Sequence, residues 1–174
     1  MTSYEFTLSF ELPDPNADPS TLLDALYEAG CDDATAGVGR PGMLALDFTR
    51  EAPSADAAVK SAIKQAHRAV SRAKLVAIAP DLVSVSEIAE LTGVTRQNIH
   101  KYVAGEIQTL AVPFPVPIYT GTPSLWRLSD VAPWLMKHTK LRIDRSLMEL
   151  AFVTTRVNLD AQRATMLRKR EEVA

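Results

Sequence analysis

The sequence lacks several features that would define a function at once. Cys31 is its only cysteine, which excludes an internal disulfide and a zinc site built from cysteines. Its apolar runs, such as 75–79, are too short to span a bilayer. The N-terminus has neither the basic start nor the apolar stretch of a secretory signal. These absences predict a cytoplasmic protein without a membrane partner.

Charge of neither sign dominates the chain. The formal net charge is −2 over 174 residues, which argues against a protein that coats nucleic acid through bulk electrostatics. Acidic residues outnumber basic ones by 11 to 7 in residues 1–80, whereas residues 141–174 hold 7 basic and 5 acidic residues. Any contact with DNA is therefore expected from the second half of the chain.

Signatures of catalysis and metal binding are also missing. The histidines His67, His100 and His138 are far apart, and none stands in a metal-ligand spacing. The glycines of 37–42 are spaced like a phosphate loop, but no helix follows them and a hairpin turn explains them better. No serine or cysteine occupies a nucleophile elbow. We therefore expect no enzyme activity, no metal and no cofactor.

The first 80 residues carry the signals of six elements. Alternating apolar and polar residues predict the strands, and helical spacing with capping residues predicts the helices. The predicted elements are a strand at Tyr4–Leu12, a helix at Ser20–Ala29, strands at Ala34–Val38 and Met43–Phe48 joined by a turn at 39–42, a helix at Ser54–Ser71 and a strand at Lys74–Ala79. On the first helix the predicted buried residues are Leu22, Leu23, Leu26 and Tyr27. The order βαββαβ predicts a ferredoxin-like sandwich, with two helices on one face of a four-stranded antiparallel sheet.

The segment 82–105, LVSVSEIAELTGVTRQNIHKYVAG, has the pattern of two short helices joined by a tight turn. Ser84 and Glu87 have the spacing of a capping box at the start of the first helix. Gly93 can take the positive φ that a tight turn requires, and Thr95 can cap the second helix. The side chains predicted to face inward are Ile88, Ala89, Leu91, Ile99 and either Tyr102 or Val103.

The second of these helices presents polar side chains that suit a duplex groove. The residues predicted to point outward are Arg96, Gln97, Asn98, His100 and Lys101. A major groove admits one helix, and residues near the start of that helix reach the base edges. Arginine pairs with guanine in two hydrogen bonds, and asparagine or glutamine pairs with adenine in the same way. The alternative interpretation is a surface helical hairpin with a solvated polar face.

An extended segment and a turn follow this pair of helices. The run FPVPIY, the turn GTPS and the run LWRL, all within 114–128, predict a β-hairpin. Ser129 and Asp130 are predicted to cap a further helix that continues to about Lys137. Pro133 is predicted in the first turn of that helix, where a missing N–H costs nothing.

Together these segments resemble the winged helix-turn-helix of MerR-type and excisionase-like (AlpA-type) regulators, over about residues 82–138. The stretches that carry the resemblance are SVSEIAELTGVTRQNIHKYVAGE and FPVPI…GTPSLWRLSDVAPWL. The resemblance implies a recognition helix in the DNA groove and a hairpin tip near the DNA backbone or the minor groove. The contact residues that it implies are Thr95, Arg96, Gln97, Asn98, His100 and Lys101 on the helix, and Thr120, Thr122, Ser124 and Arg127 on or near the hairpin.

The C-terminal segment 139–174 has a heptad rhythm. The residues that follow this rhythm are Ile143, Leu147, Leu150, Thr154, Val157, Ala161 and Ala164. The rhythm predicts a long helix that either pairs with a second copy or packs back onto the N-terminal half. The basic stretch 163–170 is either a solvated helix end or a tail that contacts phosphates.

The predicted organisation is an α+β chain in three parts. Residues 1–80 form a domain for a partner or for assembly, 81–138 form the winged helix-turn-helix, and 139–174 form a helix that can support dimerisation. The expected function is a dimeric transcriptional repressor that binds double-stranded DNA as a homodimer. One alternative is an antitoxin or adaptor whose N-terminal domain binds a protein partner. Another is an architectural protein that bends DNA, as excisionases do.

Overall fold

The computed structural model describes residues 1–37, 40–107, 110 and 112–173, and its fold is α+β. The strands are β1 (Thr2–Glu11), β2 (Ala34–Gly37), β3 (Met43–Ala52), β4 (Lys74–Ala79), β5 (Leu82–Val83) and β6 (Trp126–Arg127). The helices are α1 (Pro19–Glu28), α2 (Ala55–Ala69), α3 (Val85–Thr92), α4 (Arg96–Val103), α5 (Leu128–His138) and α6 (Arg145–Val173).

The chain forms two compact units. The N-terminal unit contains residues 1–79 and the part of α6 that starts at Val153, and the central unit contains Pro80–Phe152. The segment 139–174, predicted as a separate third part, is therefore divided between the two units.

A four-stranded sheet organises the N-terminal unit. Its strand order is β2-β3-β1-β4, and each neighbouring pair is antiparallel. Because side chains alternate along a strand, β1 buries one face, which carries Tyr4, Phe6, Leu8 and Phe10. Helix α2 packs against β1 and β3, and α1 packs against α2. The strands and helices predicted for residues 1–80 are thus present in the predicted order.

Strand β3 extends beyond its predicted end at Phe48 and includes a buried arginine. The guanidinium of Arg50 donates to both carboxylate oxygens of Asp33 at 2.7 Å and to Ser61 Oγ at 2.9 Å. It also lies 4.7 Å from the ring centroid of Phe48. A buried charge is tolerated when it is paired and hydrogen-bonded. These partners therefore allow β3 to continue through Arg50, two residues beyond the strand end that the sequence pattern predicts.

Helix α1 buries fewer side chains than predicted. Leu26 is buried and Leu22 half-buried, but Leu23 is 48% exposed and Tyr27 is 73% exposed. The prediction of four buried residues is therefore wrong for Leu23 and Tyr27. Because α1 packs against α2, only a narrow stripe of the helix is covered. Gly30 has a φ of 89° just after the helix, as the predicted cap requires.

The turn before β3 is described in part. Val38, the predicted end of β2, and Gly39 lie outside the described residues. Gly42 has a φ of 76°, and Met43 N donates to Arg40 O at 3.0 Å. The described half of this segment thus has the geometry of a reverse turn.

The C-terminal part of α6 covers the sheet edge at β4. Asn158 is buried, and its side chain binds the backbone of Ile78 twice. Asn158 Nδ2 donates to Ile78 O at 2.9 Å, and Asn158 Oδ1 accepts from Ile78 N at 2.8 Å. An edge strand has outward N–H and C=O groups that need partners. The predicted packing of the tail onto the N-terminal half is present, whereas pairing with a second copy stays a prediction.

Several residues of the heptad rhythm in the tail pack against other parts of the same chain. Ile143, Leu150 and Thr154 are buried, and Leu147 packs against the core of the central unit. The more C-terminal position Ala164 is exposed. A seam for a second copy cannot consist of side chains that the chain itself already covers, so the predicted seam is not available over 143–154.

We expect Asn158→Ala to lower the free energy of unfolding by about 1–3 kcal/mol, because it leaves the N–H and C=O of Ile78 buried without partners. Urea unfolding followed by circular dichroism measures this change. The control is Gln162→Ala, which removes an exposed amide from the same helix and should change stability by no more than about 0.5 kcal/mol. Equal stability of the two variants would contradict the role given to Asn158.

Candidate nucleic-acid interface

Helices α3 and α4 are short, eight residues each, and a tight turn joins them. The predicted capping box is present: Ser84 Oγ accepts from Glu87 N at 3.4 Å, and Glu87 Oε2 accepts from Ser84 N at 2.7 Å. Gly93 ends α3 in the left-handed conformation, with a φ of 67°. Thr95 Oγ1 caps α4 by accepting from Asn98 N at 3.3 Å. Residues identified from the sequence thus fix both sides of the turn.

Apolar side chains beneath α4 hold it in place. Ile99 is fully buried in a cluster that includes Ile88 of α3 and Leu135 of α5. Tyr102 packs edge-to-face on Trp134, with 5.9 Å between the ring centroids. The fixed position of α4 therefore comes from contacts with both neighbouring helices.

Leu91 of α3 does not face inward as predicted. It is 37% exposed, so the prediction for this residue is wrong. The stripe that α3 covers runs through Val85, Ile88, Ala89 and Thr92, which are spaced by three and four residues. Leu91 lies beside that stripe.

The opposite face of α4 is open to solvent. Of the six residues predicted to contact DNA from this helix, Asn98 is half-buried and five are exposed. The exposed ones are Thr95, Arg96, Gln97, His100 and Lys101. In the part of the chain that the structure describes, Arg96 and Lys101 have no ion-pair partner. The six residues predicted for the recognition helix are thus brought together on one short helix, and its two cations are free to bind an anion.

The predicted hairpin is shorter than expected. Tyr119 and Leu125 form a single antiparallel bridge, in which Leu125 N donates to Tyr119 O at 2.9 Å. Pro115 and Pro117 have no N–H to donate, so the first strand cannot form a longer ladder. The extended run 114–119 is therefore paired in the hairpin only at its end, through Tyr119.

The tip of the hairpin carries the other predicted contact residues. Thr120 and Thr122 are exposed. Ser124 is half-buried, and its hydroxyl donates to Gly121 O at 3.2 Å. A Cβ atom at Gly121 would overlap the ring of Tyr119. The tip thus offers two free hydroxyl groups and no cation.

An ion pair joins the start of the motif to the end of the hairpin. Arg127 Nη1 donates to both carboxylate oxygens of Asp81 at 3.0 Å. Asp81 O accepts from Leu128 N at 2.7 Å, and β5 pairs antiparallel with β6 beside it. Arg127 was predicted near DNA, but its side chain is only 18% exposed and binds Asp81.

Asp81 is the structural residue that sequence reasoning missed. In the sequence, Asp81 is marked only as a single carboxylate between Pro80 and the apolar pair that begins at Leu82. That position gave no indication of a partner 46 residues away.

Helix α5 starts earlier than predicted. Arg127 stands at its N-cap, where its side chain makes no capping hydrogen bond to the helix, and the predicted caps Ser129 and Asp130 are the second and third helical residues. The hydrogen bond from Leu128 N to Asp81 O sets this start. Pro133 therefore lies inside the helix rather than in its first turn, and it cannot donate the hydrogen bond that an interior residue normally makes.

Aromatic rings connect the hairpin to α5. Phe114 is buried, and its ring centroid lies 5.9 Å from that of Trp126 and 4.9 Å from that of Trp134. Trp126 Nε1 donates to Pro115 O at 2.8 Å. The Pro-rich segment before the hairpin is thus held by rings and one side-chain hydrogen bond rather than by a strand ladder.

The remaining chemistry of the described residues is limited. No group of three or more His, Cys, Asp or Glu side chains in these residues could hold a metal ion. None of the helices seen there has the length and hydropathy needed to cross a bilayer. In the N-terminal unit a cavity of about 320 Å³ is lined by residues that include Leu23, Tyr27, Cys31 and Ala36. Burial raises the pKa of the Cys31 thiol, which lowers its reactivity.

Comparison with known proteins gives no match. The chain matches no model of a known protein family, no curated protein and no solved structure. The resemblance of residues 82–138 to MerR-type and excisionase-like regulators therefore stays a prediction from their motifs.

We expect Asp81→Ala to lower the free energy of unfolding by about 2 kcal/mol. Removing one partner of a buried ion pair costs about 3–5 kcal/mol, and the partial exposure of Arg127 reduces this value. The control is Asp130→Ala, which removes an exposed carboxylate from the first turn of α5 and should cost at most about 1 kcal/mol. Urea unfolding measures both. A smaller loss for Asp81→Ala than for Asp130→Ala would contradict the importance of the pair.

Proposed function

We propose that this protein is a sequence-specific DNA-binding transcriptional regulator whose recognition helix is α4. The observation that carries this proposal is the open polar face of α4, which is capped at its start by Thr95 and held from beneath by Ile99. This face carries the unpaired cations Arg96 and Lys101 and the amide of Gln97, with the half-buried Asn98 beside them. The proposal assigns these groups to a DNA groove.

The side chains of α4 match the chemistry of base edges. Arg96 can form two hydrogen bonds with guanine, and Gln97 or Asn98 can form two with adenine. The first turn of α4 also directs backbone N–H groups toward its N-terminal end, where phosphates bind favourably. In this arrangement Arg96 and Gln97 specify the sequence, and Lys101 holds a phosphate.

The hairpin has a supporting role in this proposal. Thr120 and Thr122 are exposed hydroxyl groups that can donate to phosphate oxygens. In this proposal Arg127 positions the hairpin through its ion pair with Asp81. The α3–α4 pair followed by this hairpin constitutes the proposed winged helix-turn-helix.

The N-terminal unit is proposed to be a ferredoxin-like sandwich that serves assembly. The support is its antiparallel strand order and the packing of its two helices. We further propose that two copies bind two half-sites, because one small motif makes few base contacts. A homodimer placed over a promoter would act as a repressor.

Binding to DNA from upstream of the protein's own coding sequence tests the function. We expect the double variant Arg96→Ala/Lys101→Ala to bind this DNA roughly 10- to 100-fold more weakly, because a bidentate arginine–guanine pair alone contributes about 1–3 kcal/mol. Fluorescence anisotropy with labelled duplexes measures the dissociation constants.

The control for this experiment removes two cations from elsewhere. Arg68→Ala/Arg72→Ala changes exposed residues outside the unit that contains α4 and should leave binding within a factor of about two. If Arg96→Ala/Lys101→Ala folds and binds like the wild type, α4 is not the recognition helix.

A second candidate function is a protein-interaction module of the antitoxin or adaptor type. The observation in its favour is the exposed apolar pair Leu23 and Tyr27, which borders the cavity beside α1. We expect Leu23→Asp/Tyr27→Asp to abolish a complex with the product of the neighbouring gene, and Met166→Asp, at another exposed apolar site, to leave it intact. Size-exclusion chromatography of the purified pair measures this, and absence of a wild-type complex rejects the candidate.

A further inference from the structure

The cations of the central unit that lack an ion pair are confined to one part of it. Among the described residues, the exposed cations of this unit without an ion-pair partner are Arg96, Lys101, Lys137, Lys140 and Arg142. Arg127 is paired with Asp81 at 3.0 Å, and Arg145 with Glu149 at 3.1 Å. The free cations thus lie on α4, in the last turn of α5 and in the connection 139–144.

Exposure alternates along the connection between α5 and α6. Leu141 and Ile143 pack into the core of the central unit, whereas Lys140 and Arg142 between and beside them are exposed. Thr139 Oγ1 donates to Leu135 O at 2.6 Å and accepts from Leu141 N at 3.0 Å. Lys140 and Arg142 are thus the two cations that this connection leaves in solvent.

Ring contacts link α4 to the end of α5, where this connection begins. The ring centroid of Tyr102 lies 5.9 Å from that of Trp134, which lies 5.4 Å from that of His138 at the end of α5. Lys140 follows His138 by two residues, which span at most about 7 Å. These contacts link α4 to the end of α5, from which the cationic connection starts.

We propose that Lys140 and Arg142, together with Lys137, bind the phosphate backbone of duplex DNA beside the groove that α4 occupies. This inference rests on the proposed function of α4. A major groove is about 12 Å wide and is bordered by phosphates, so cations next to a helix in that groove meet one border. Phosphate contacts fix the position of a protein without reading bases, so this surface strengthens binding to every sequence.

Two carboxylates close to this connection in the sequence are already engaged. The carboxylate of Asp144 accepts from Ser146 Oγ at 2.6 Å and from Ser146 N at 2.7 Å, and these hydrogen bonds hold its pKa below the ordinary value. Glu149 pairs with Arg145. Neither carboxylate forms an ion pair with Lys140 or Arg142, although the charge of Asp144 reduces the local positive potential.

Lys140 and Arg142 are the residues to test. Lys137 lies in the last turn of α5, where a cation also stabilises the helix, whereas the other two lie outside any helix. The experiment measures binding of the full chain to its upstream duplex and to a shuffled duplex of equal length, from about 50 to 200 mM salt. The variant is Lys140→Gln/Arg142→Gln.

We expect the plot of log K against log salt concentration to become less steep by about 1.8 for this variant, about 0.9 for each lost phosphate contact. The change should be the same on both duplexes, and binding at physiological salt should weaken roughly tenfold or more. Because neither side chain is buried, the melting temperature should not change.

Two matched variants act as controls. Lys140→Arg/Arg142→Lys keeps both charges and should keep the wild-type slope. Arg68→Gln/Arg72→Gln removes two exposed cations of the N-terminal unit and should also keep the slope.

The outcomes separate this inference from the proposed function. If the wild type binds DNA and Lys140→Gln/Arg142→Gln keeps its slope, the inference is wrong and the function of α4 stands. If both glutamine variants lose slope equally, only bulk charge matters and the inference is again wrong. If the wild type shows no salt-dependent binding to either duplex, the proposed function fails and the inference fails with it.

Discussion

The ion pair between Asp81 and Arg127 is the constraint on which the central unit depends. It joins the residue that precedes β5 to the residue that follows the hairpin, so it closes a segment that contains α3, α4 and the hairpin. The same Asp81 supplies the carbonyl oxygen that receives Leu128 N and thereby sets the start of α5. Through Trp134 and Leu135, α5 in turn packs against α4. The orientation of α4 and of its polar face therefore depends on the Asp81–Arg127 ion pair, to which α4 contributes no residue.

In the N-terminal unit, the edge of the sheet at β4 requires protection from pairing with another strand. Strand β4 pairs only with β1, so one side of its backbone would be open to another strand. The buried amide of Asn158 forms hydrogen bonds with the N–H and C=O of Ile78, as a neighbouring strand would do. This gives α6 a structural role within a single copy and uses part of the apolar rhythm that otherwise indicates a coiled coil.

Local signals predicted the elements well, because their causes are local. Alternation in β1, the capping box of Ser84 and Glu87, and the left-handed Gly93 depend on residues at most a few positions apart. The errors concern distant partners. Tyr27 is apolar but exposed, Arg50 is charged but buried, and Arg127 is basic but bound to a carboxylate. Each of these outcomes depends on a neighbour that is far away in the sequence.

The sequence by itself determined the order of the elements, the two caps around the tight turn and the polar composition of α4, because these depend on backbone propensities and neighbouring side chains. Only the tertiary structure decided that Arg96 and Lys101 stay free while Arg127 is engaged. It also decided that the tail packs onto its own sheet edge and that Lys140 and Arg142 are exposed while Leu141 and Ile143 between and beside them pack inward. The physical reason is that ion pairs, edge contacts and ring packing form between residues that chain folding brings together, and a linear pattern does not encode which residues will meet.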